Sequence, residues 1–182
     1  MPTIPLLPAP VNLYRDASRS SQRMRQKEKR ITRKTLDTLV HLPEFTITHF
    51  SIEQRRGESI LHLYGKHNYD YALCPQCKSA SESIHQEKPR CVRDLDISKH
   101  RTFLHFISRR FSCEHCKHTF VERLQSIGFG HRQTERFQEV VYQRSLSSTH
   151  KSVAKEMWLD PSTVKTIFLR LAKDKLDLRF NL

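Results

Sequence analysis

The sequence has no long apolar run. No hydrophobic stretch approaches the roughly 20 residues that a membrane-spanning helix needs, and only 37% of the residues are hydrophobic. The first ten residues lack a basic segment followed by an apolar one, so we expect no secretory signal peptide. With 182 residues the chain is too short for a two-lobed enzyme. These absences favour one or two small domains in the cytoplasm, where thiols stay reduced.

Acidic side chains are also scarce. There are 19 of them against 32 lysines and arginines, and the net charge is +13. Residues 1–34 alone hold nine basic and two acidic side chains. We interpret residues 1–34 as a flexible basic arm, which would strengthen any complex with a polyanion by releasing counterions. A solvated tail without a dedicated partner remains the alternative.

The remaining sequence predicts an α+β fold, in which a small β-rich zinc-ribbon domain (35–126) precedes a helical helix-turn-helix domain (131–182). The β-rich part begins with a short helix that Pro43 ends. Partly alternating β-branched and aromatic residues then predict four strands, at 45–52, 59–64, 90–95 and 102–111. Gly57 lies in a turn between the first two. Residues 128–131, which include two glycines, predict a flexible joint between the domains.

The cysteines carry the strongest chemical signal. They form two C-x₂-C pairs separated by 35 residues, Cys74 with Cys77 and Cys113 with Cys116. A two-residue spacing lets a tight turn direct both sulfurs at one point, and two such turns complete a tetrahedral site. Thiolates in that geometry favour zinc. We therefore predict one structural Zn²⁺, because four protein ligands leave no open position for catalysis.

Other interpretations of the cysteines are weaker. A redox dithiol normally opens a helix in a βαβ unit, whereas Pro75 and a polar loop follow Cys74 here. Cys91 lies within a predicted strand, and we expect it to be a buried structural cysteine rather than a ligand. His115 and His118 flank the second pair, but four sulfurs already satisfy zinc.

The C-terminal part predicts a helix-turn-helix. Thr134 can cap a first helix, a second fits 150–158, and Asp160 with Pro161 starts the last one. The last helix has an apolar stripe with i, i+3, i+4, i+7 spacing, formed by Val164, Ile167, Phe168 and Leu171. Trp158 stands where such turns usually have glycine, so we expect a different turn conformation or a late helix end. An ordinary helical hairpin packed on the ribbon is the alternative.

Together these residues resemble a known family. The pattern runs from C-P-x-C through Arg93-Asp94-Leu95 and R-R-F-x-C-x-x-C-x-x-x-F-x-E to the helix-turn-helix. It is similar to the N-terminal DNA-binding region of bacterial ISL3-type insertion-sequence transposases, over roughly residues 36–171. Residues 109–122 are its most specific part.

The resemblance implies that DNA binding and catalysis belong to separate domains. In that family the ribbon and helix-turn-helix bind the terminal inverted repeats of the element, and a DDE-type catalytic domain follows. Such a domain needs well over 100 further residues and three carboxylates that converge on Mg²⁺. We therefore expect no strand transfer by these 182 residues. Asp94 matches the family pattern, and we expect it to pair with Arg93 or Arg110 or to hold a turn.

The resemblance also suggests DNA contacts. Arg109 and Arg110 lie beside the second cysteine pair, where guanidinium groups could bind phosphate. If they alternate across a strand, one of them is instead a structural ion-pair partner. On the last helix we expect base contacts from Ser162, Lys165 and Thr166, and phosphate contacts from Arg170 and Lys173.

The leading hypothesis is a zinc-dependent double-stranded-DNA-binding protein of the bacterial nucleoid. It would be the DNA-binding portion of a truncated transposase that competes with the full-length transposase, either alone or as a homodimer. Two alternatives are a stand-alone transcriptional regulator and a zinc-ribbon module that binds an acidic protein or RNA. A metalloenzyme is the least favoured, because the predicted zinc shell is closed.

Overall fold

The computed structural model describes residues 33–55 and 57–180. The predicted basic arm therefore lies almost entirely outside the described residues. The described part begins with one helix, continues with seven strands and ends with three helices. This order confirms the predicted α+β class. No helix of the described ranges is long and apolar enough to cross a membrane.

The elements are numbered in chain order. The helices are α1 (Arg33–Val40), α2 (Glu135–Ser145), α3 (His150–Met157) and α4 (Pro161–Phe180). The strands are β1 (Phe45–Arg55), β2 (Glu58–His67), β3 (Ala72–Leu73), β4 (Ala80–Ser81), β5 (Ile84–Ile97), β6 (His100–Ser112) and β7 (Thr119–Val121). All four predicted strands exist, and the structure extends each of them.

Five strands form one mixed sheet in the order β1-β2-β6-β5, with β7 paired to β6. Strands β1 and β2 form the predicted hairpin, whose turn contains Gly57 at φ 83°. Strand β2 runs parallel to β6, whereas β5 and β6 are antiparallel neighbours. Strands β3 and β4 form a separate two-stranded ribbon. This ribbon and the end of β6 carry the two cysteine pairs.

One face of the sheet is apolar and buried. Alternate residues of β1, β2 and β6 point to this face, as the period of two requires, and β5 adds Val92. Complete burial of one leucine side chain contributes about 2 kcal/mol to stability. The buried members are Val40, Leu42, Phe45, Ile47, Leu61, Leu63, Val92, Leu104, Phe106 and Ile127.

The prediction that Cys91 is buried was wrong. Val92 is the inward residue, with 1% of its surface exposed, and Cys91 is exposed on the opposite face. There its sulfur lies 3.8 Å from Nε2 of His105. The strand was predicted correctly. Which of two adjacent strand residues faces the core depends on the register of strand pairing, and composition does not reveal that register.

The three C-terminal helices share a second core. Thr134 caps α2 as predicted, because its side chain accepts a hydrogen bond from the backbone N–H of Phe137. Thr149 caps α3 in the same way. Val164 and Ile167 of the predicted apolar stripe are buried in this core, together with Phe137, Val141, Val153, Ala154 and Met157.

The segment between β7 and α2 is not the flexible joint that the sequence predicts. The N–H of His131 donates to the carbonyl of Gly128 at 3.1 Å and closes a turn. On one side of this turn, Ile127 is 2% exposed. On the other side, the N–H of Thr134 donates to Arg93 O at 2.9 Å. Two glycines in four residues indicated flexibility, but here they serve the geometry of a fixed turn.

Candidate zinc centre and nucleic-acid interface

The two cysteine pairs sit in turns of the same geometry. In each, the residue four positions after the first cysteine donates its N–H to that cysteine's carbonyl at 2.9 Å: Lys78 to Cys74, and Lys117 to Cys113. Both lysines adopt the left-handed conformation, with φ of 64° and 60°. The repeated turn directs both sulfurs of each pair to one side.

The four sulfurs converge on a single point. Cys74 and Cys116 have their sulfurs 3.6 Å apart, and Cys77 and Cys113 have theirs 3.5 Å apart. All four lie within 4.8 Å of one another. Tetrahedral zinc with Zn–S bonds of about 2.3 Å separates its sulfurs by about 3.8 Å. The donor set and spacing therefore fit one structural zinc ion, as predicted.

Two of the four thiols, Cys77 and Cys116, have shifted pKa values. Hydrogen bonds from Ser79 lower the pKa of Cys77 to about 6. At Cys116 a backbone hydrogen bond from His118 acts to lower the pKa, but desolvation and the three neighbouring sulfurs outweigh it and raise the pKa to about 12. Since zinc ligation requires thiolates, we expect metal loading to release protons.

Two phenylalanine rings pack against the cysteines of the metal site. Phe111 of β6 and Phe120 of β7 have ring centroids 6.0 Å apart. They pack with Cys74 and Cys113, and all four residues are buried. The first turn is thereby tied to the end of the large sheet.

Arg109 and Arg110 have different environments. Arg109 is 6% exposed, and its Nε and Nη2 donate to Oε2 of Glu122 at 3.0 and 2.8 Å. Its backbone N–H also donates to Oε1 of Glu122, at 2.9 Å. Arg110 is exposed on the other face of the same strand. Of the two alternatives, Arg109 is therefore the structural ion-pair partner, and the structure does not support a DNA contact by its side chain.

Glu122 was not predicted from the sequence to be a site residue. Its side chain is 5% exposed and also lies 3.4 Å from Nε2 of His67. The sequence feature that could have indicated this role is the position of Glu122 at the end of the R-R-F-x-C-x-x-C-x-x-x-F-x-E pattern, which begins at Arg109. Strand β7 pairs with β6 at Arg110, and this pairing brings the two ends of that run together.

The turn between α3 and α4 corrects the expectation about Trp158. This residue ends α3 at φ 55° and ψ 47°, the left-handed conformation that glycine would adopt there. For a residue with a Cβ this costs roughly 1–2 kcal/mol. The guanidinium of Arg101 lies 5.0 Å from the centre of the indole ring and offsets part of that cost.

Helix α4 presents a polar face at its start. Ser162, Lys165 and Thr166 are all exposed. Asp160 precedes the helix and accepts a hydrogen bond from the N–H of Ser162 at 2.8 Å. Hydrogen bonding to the hydroxyl of Ser162, and secondarily to its backbone N–H, lowers the pKa of the Asp160 carboxyl. The hydroxyl of Thr166 donates to the carbonyl of Ser162 at 2.9 Å. The structure thus brings together the three residues predicted to face bases.

The two residues predicted to contact phosphate are in different environments. Lys173 is exposed. Arg170 is half-buried, donating to Oε1 of Gln138 at 2.5 Å and to Asp174 at 3.3 Å. Its guanidinium is therefore engaged within the helical domain. A phosphate contact by Arg170 would have to compete with these bonds.

A four-cysteine zinc ribbon followed by a tight helix-turn-helix defines a class of DNA-binding protein. Comparison with known families agrees with the geometry. The family model described as "zinc-finger of transposase IS204/IS1001/IS1096/IS1165" matches residues 70–116. The model "Helix-turn-helix domain of transposase family ISL3" matches residues 122–172. Residues 70–172 therefore carry the zinc-ribbon and helix-turn-helix domains of ISL3-family transposases.

A curated relative agrees with this assignment. The chain is 36% identical over 107 residues to the "Transposase for insertion sequence element IS1001" of Bordetella parapertussis. The match covers 59% of this chain and 26% of that transposase, so the chain spans about a quarter of the relative's length. No solved structure matches the chain significantly.

Proposed function

We propose that the chain binds double-stranded DNA and that its specific targets are the terminal inverted repeats of an insertion sequence. The exposed face at the start of α4, formed by Ser162, Lys165 and Thr166, is the observation that carries this proposal. It stands directly after the tight turn of a helix-turn-helix, where such proteins contact base edges. The net charge of +13 supplies non-specific attraction to phosphate.

The proposed roles follow from side-chain chemistry. Lys165 can donate to O6 and N7 of guanine, whereas the hydroxyls of Ser162 and Thr166 can contact either a base or a phosphate. Lys173, further along α4, and Arg110, beside the zinc turns, are placed for phosphate contacts. Arg109 is excluded from the proposed contacts by its buried pair with Glu122.

The zinc contributes folding energy rather than chemistry. Four thiolate ligands would close the coordination shell, and the aromatic pair Phe111 and Phe120 couples the site to the sheet. Loss of the metal should therefore disorder the turns beside Arg110. We expect DNA binding to weaken as a consequence of this disorder.

We further propose that these 182 residues bind DNA without strand transfer. The matched segments are the zinc finger and the helix-turn-helix, and both are binding domains. Bound to the ends of an element, alone or as a homodimer, the chain would compete with a full-length transposase for the same sites. The relevant compartment is the bacterial nucleoid.

The test is a selection of bound sequences from random duplex DNA at about 0.15 M salt, near physiological ionic strength. Zinc-loaded and chelated protein should be compared in parallel. We expect one enriched motif that is lost on chelation and that occurs at the ends of an insertion sequence. Lys165→Ala should relax the specificity at one position, at a cost of about 1–3 kcal/mol. Lys66→Ala, at an exposed lysine of β2, is the matched control.

Other outcomes would contradict the proposal in separate ways. An enriched motif that occurs only at promoters would indicate a stand-alone regulator. Tight but unselective binding to every polyanion, with one salt dependence, would indicate a zinc-ribbon interaction module instead.

A further inference from the structure

Phe129 is unusually exposed. Three quarters of its surface (75%) is accessible, more than for any other large hydrophobic residue whose burial the structure describes. Single exposed apolar side chains are common on protein surfaces. The inference about Phe129 therefore rests on the hydrogen-bonded turn that carries it and on the charged residues beside it.

The backbone at Phe129 forms a tight turn with two specialised glycines. The N–H of His131 donates to Gly128 O at 3.1 Å, so Phe129 and Gly130 are the two central residues. Gly130 has φ 76°, the positive value that a type II turn requires at its third position. A Cβ at Gly128 would lie 2.2 Å from the His131 ring and 2.3 Å from the Glu135 carboxylate. Gly130 thus gives the backbone conformation of the turn, and a side chain at Gly128 would displace the His131 and Glu135 side chains that pack against it.

Both ends of the turn are anchored. Before it, the backbone and hydroxyl of Ser126 donate to the carboxylate of Glu44 at 2.9 and 2.6 Å. After it, Nδ1 of His131 lies 2.9 Å from Oε1 of Glu135. The backbone N–H of Glu135 also returns to Ser126 O at 2.9 Å. Hydrogen bonds on both sides of the turn therefore fix the position of the backbone that carries Phe129.

The cavity beside Phe129 is basic, whereas the carboxylates of Glu44 and Glu135 lie at the two ends of its turn. A shallow cavity of about 280 Å³ is lined by Pro75, Arg110, Thr119, Phe120, Val121, Arg123 and Phe129. Among these lining residues none is acidic. Arg110 and Arg123 are both exposed, so the aromatic ring shares its surface with two guanidinium groups.

This combination matches nucleic acid better than protein. A protein partner would bury a contiguous apolar patch, but the other aromatic ring of this cavity, Phe120, is 6% exposed. Proteins that deform DNA place an apolar wedge between base steps while arginines bind the adjacent phosphates. A single rigid phenyl ring flanked by two arginines has that composition.

We propose that Phe129 is a wedge that inserts between two adjacent base pairs of bound duplex DNA, with Arg110 and Arg123 on the flanking phosphates. This inference rests on the proposed function, because it requires a DNA complex. It adds a second kind of contact to the base contacts of α4. The deformability of the wedged step would then contribute to target choice, since pyrimidine–purine steps unstack most easily.

The experiment uses the zinc-loaded full chain and duplexes that carry the selected motif, with 2-aminopurine placed at one step at a time. Unstacking of the analogue raises its fluorescence. We expect an increase at one or two adjacent steps with the parent protein. Phe129→Ala should abolish that increase and weaken binding about tenfold. Phe129→Trp should retain both.

The matched control is Phe50→Ala, at another exposed phenylalanine, on β1. It should leave fluorescence and affinity unchanged. Since Phe129 is exposed, its variants should melt at the parent temperature, which separates a lost wedge from lost folding.

Each remaining outcome overturns the wedge. If the parent binds DNA but no step unstacks, the wedge is wrong and the proposed function stands. Equal fluorescence and affinity in the parent and Phe129→Ala would assign the unstacking to another residue. If the parent binds none of the duplexes, the proposed function fails and the wedge fails with it.

Discussion

The carboxylate of Asp94, fully buried in strand β5, binds the guanidinium of Arg136 in helix α2. Arg136 Nε donates to Oδ1 at 2.7 Å, and the hydroxyl of Thr134 donates to the same oxygen at 2.7 Å. Arg136 also donates to the carbonyl of Val40. One carboxylate thus joins the sheet to the first helix of the C-terminal domain. From the sequence, Asp94 was expected to pair with Arg93 or Arg110 or to hold a turn, but Arg93 pairs with Asp96 instead.

Asp94→Asn should therefore destabilise the protein. Removal of one partner leaves the other charge poorly compensated in a partly buried setting, at a cost of about 3 kcal/mol. Urea unfolding followed by circular dichroism would measure the loss. The control is Glu156→Gln, which removes the exposed partner of Arg144 and should cost less than about 0.5 kcal/mol. Equal losses in the two variants would show that the Asp94 pair has no special structural role.

The Arg109–Glu122 pair makes a different prediction, since both side chains are buried. Glu122→Leu alone should cost about 3 kcal/mol, because it leaves the Arg109 guanidinium as an uncompensated buried charge. Arg109→Met combined with Glu122→Leu should cost less than either single change, because no buried charge remains. A double-mutant cycle of unfolding free energies tests this. Additive losses would contradict coupling between the two side chains.

Trp158 allows a comparison of two truncations. Trp158→Ala loses the contact with Arg101 and keeps the left-handed backbone strain. Trp158→Gly loses the same contact but relieves the strain. We expect the glycine variant to be more stable than the alanine variant by about 1 kcal/mol, the reverse of the usual helix ranking. Thermal melts of both variants decide this, and a more stable alanine variant would contradict the left-handed turn.

Features with local causes were predictable from the sequence. The four zinc ligands depend on a two-residue spacing, and the cap at Thr134 depends on the residues next to it. Features that depend on register or on distant partners were not. Cys91 is exposed because the register of β5 turns Val92, and not Cys91, toward the core. Alternation along β6 likewise places Arg109 and Arg110 on opposite faces and gives them different roles. The partner of Asp94 lies 42 residues away in the sequence, and no local pattern indicates it.

The zinc site separates the five cysteines into two kinds. Cys113→Ser removes a ligand, so we expect loss of bound zinc and of the near-ultraviolet circular dichroism signal. Cys91→Ser alters an exposed thiol outside the cluster and should retain one zinc ion per chain. Metal analysis of both purified variants checks the stoichiometry. Zinc retained in Cys113→Ser, or lost in Cys91→Ser, would contradict the ligand set.

The pH dependence of stability should reveal a histidine pair on the open face of the sheet. Nδ1 of His62 lies 2.8 Å from Nε2 of His105, a contact in which one ring donates and the other must accept. Desolvation, and secondarily repulsion by His62, lower the pKa of His105. The other neighbouring titratable groups are the thiol of Cys91, the phenol of Tyr64 and, through His62, the carboxylate of Glu53.

The direction in which the folding stability changes with pH follows from proton linkage. An unfolded histidine binds a proton below a pH of about 6.5, whereas folded His105 resists protonation until a lower pH. The unfolded state therefore binds more protons in this window, and stability falls as the pH drops from about 7 through the lowered pKa of His105. His105→Gln should flatten that part of the stability curve. His85→Gln, at an exposed histidine of β5, should follow the parent curve. A parent curve that is flat between pH 7 and about 5, or unchanged in His105→Gln, would show that the pair does not resist protonation.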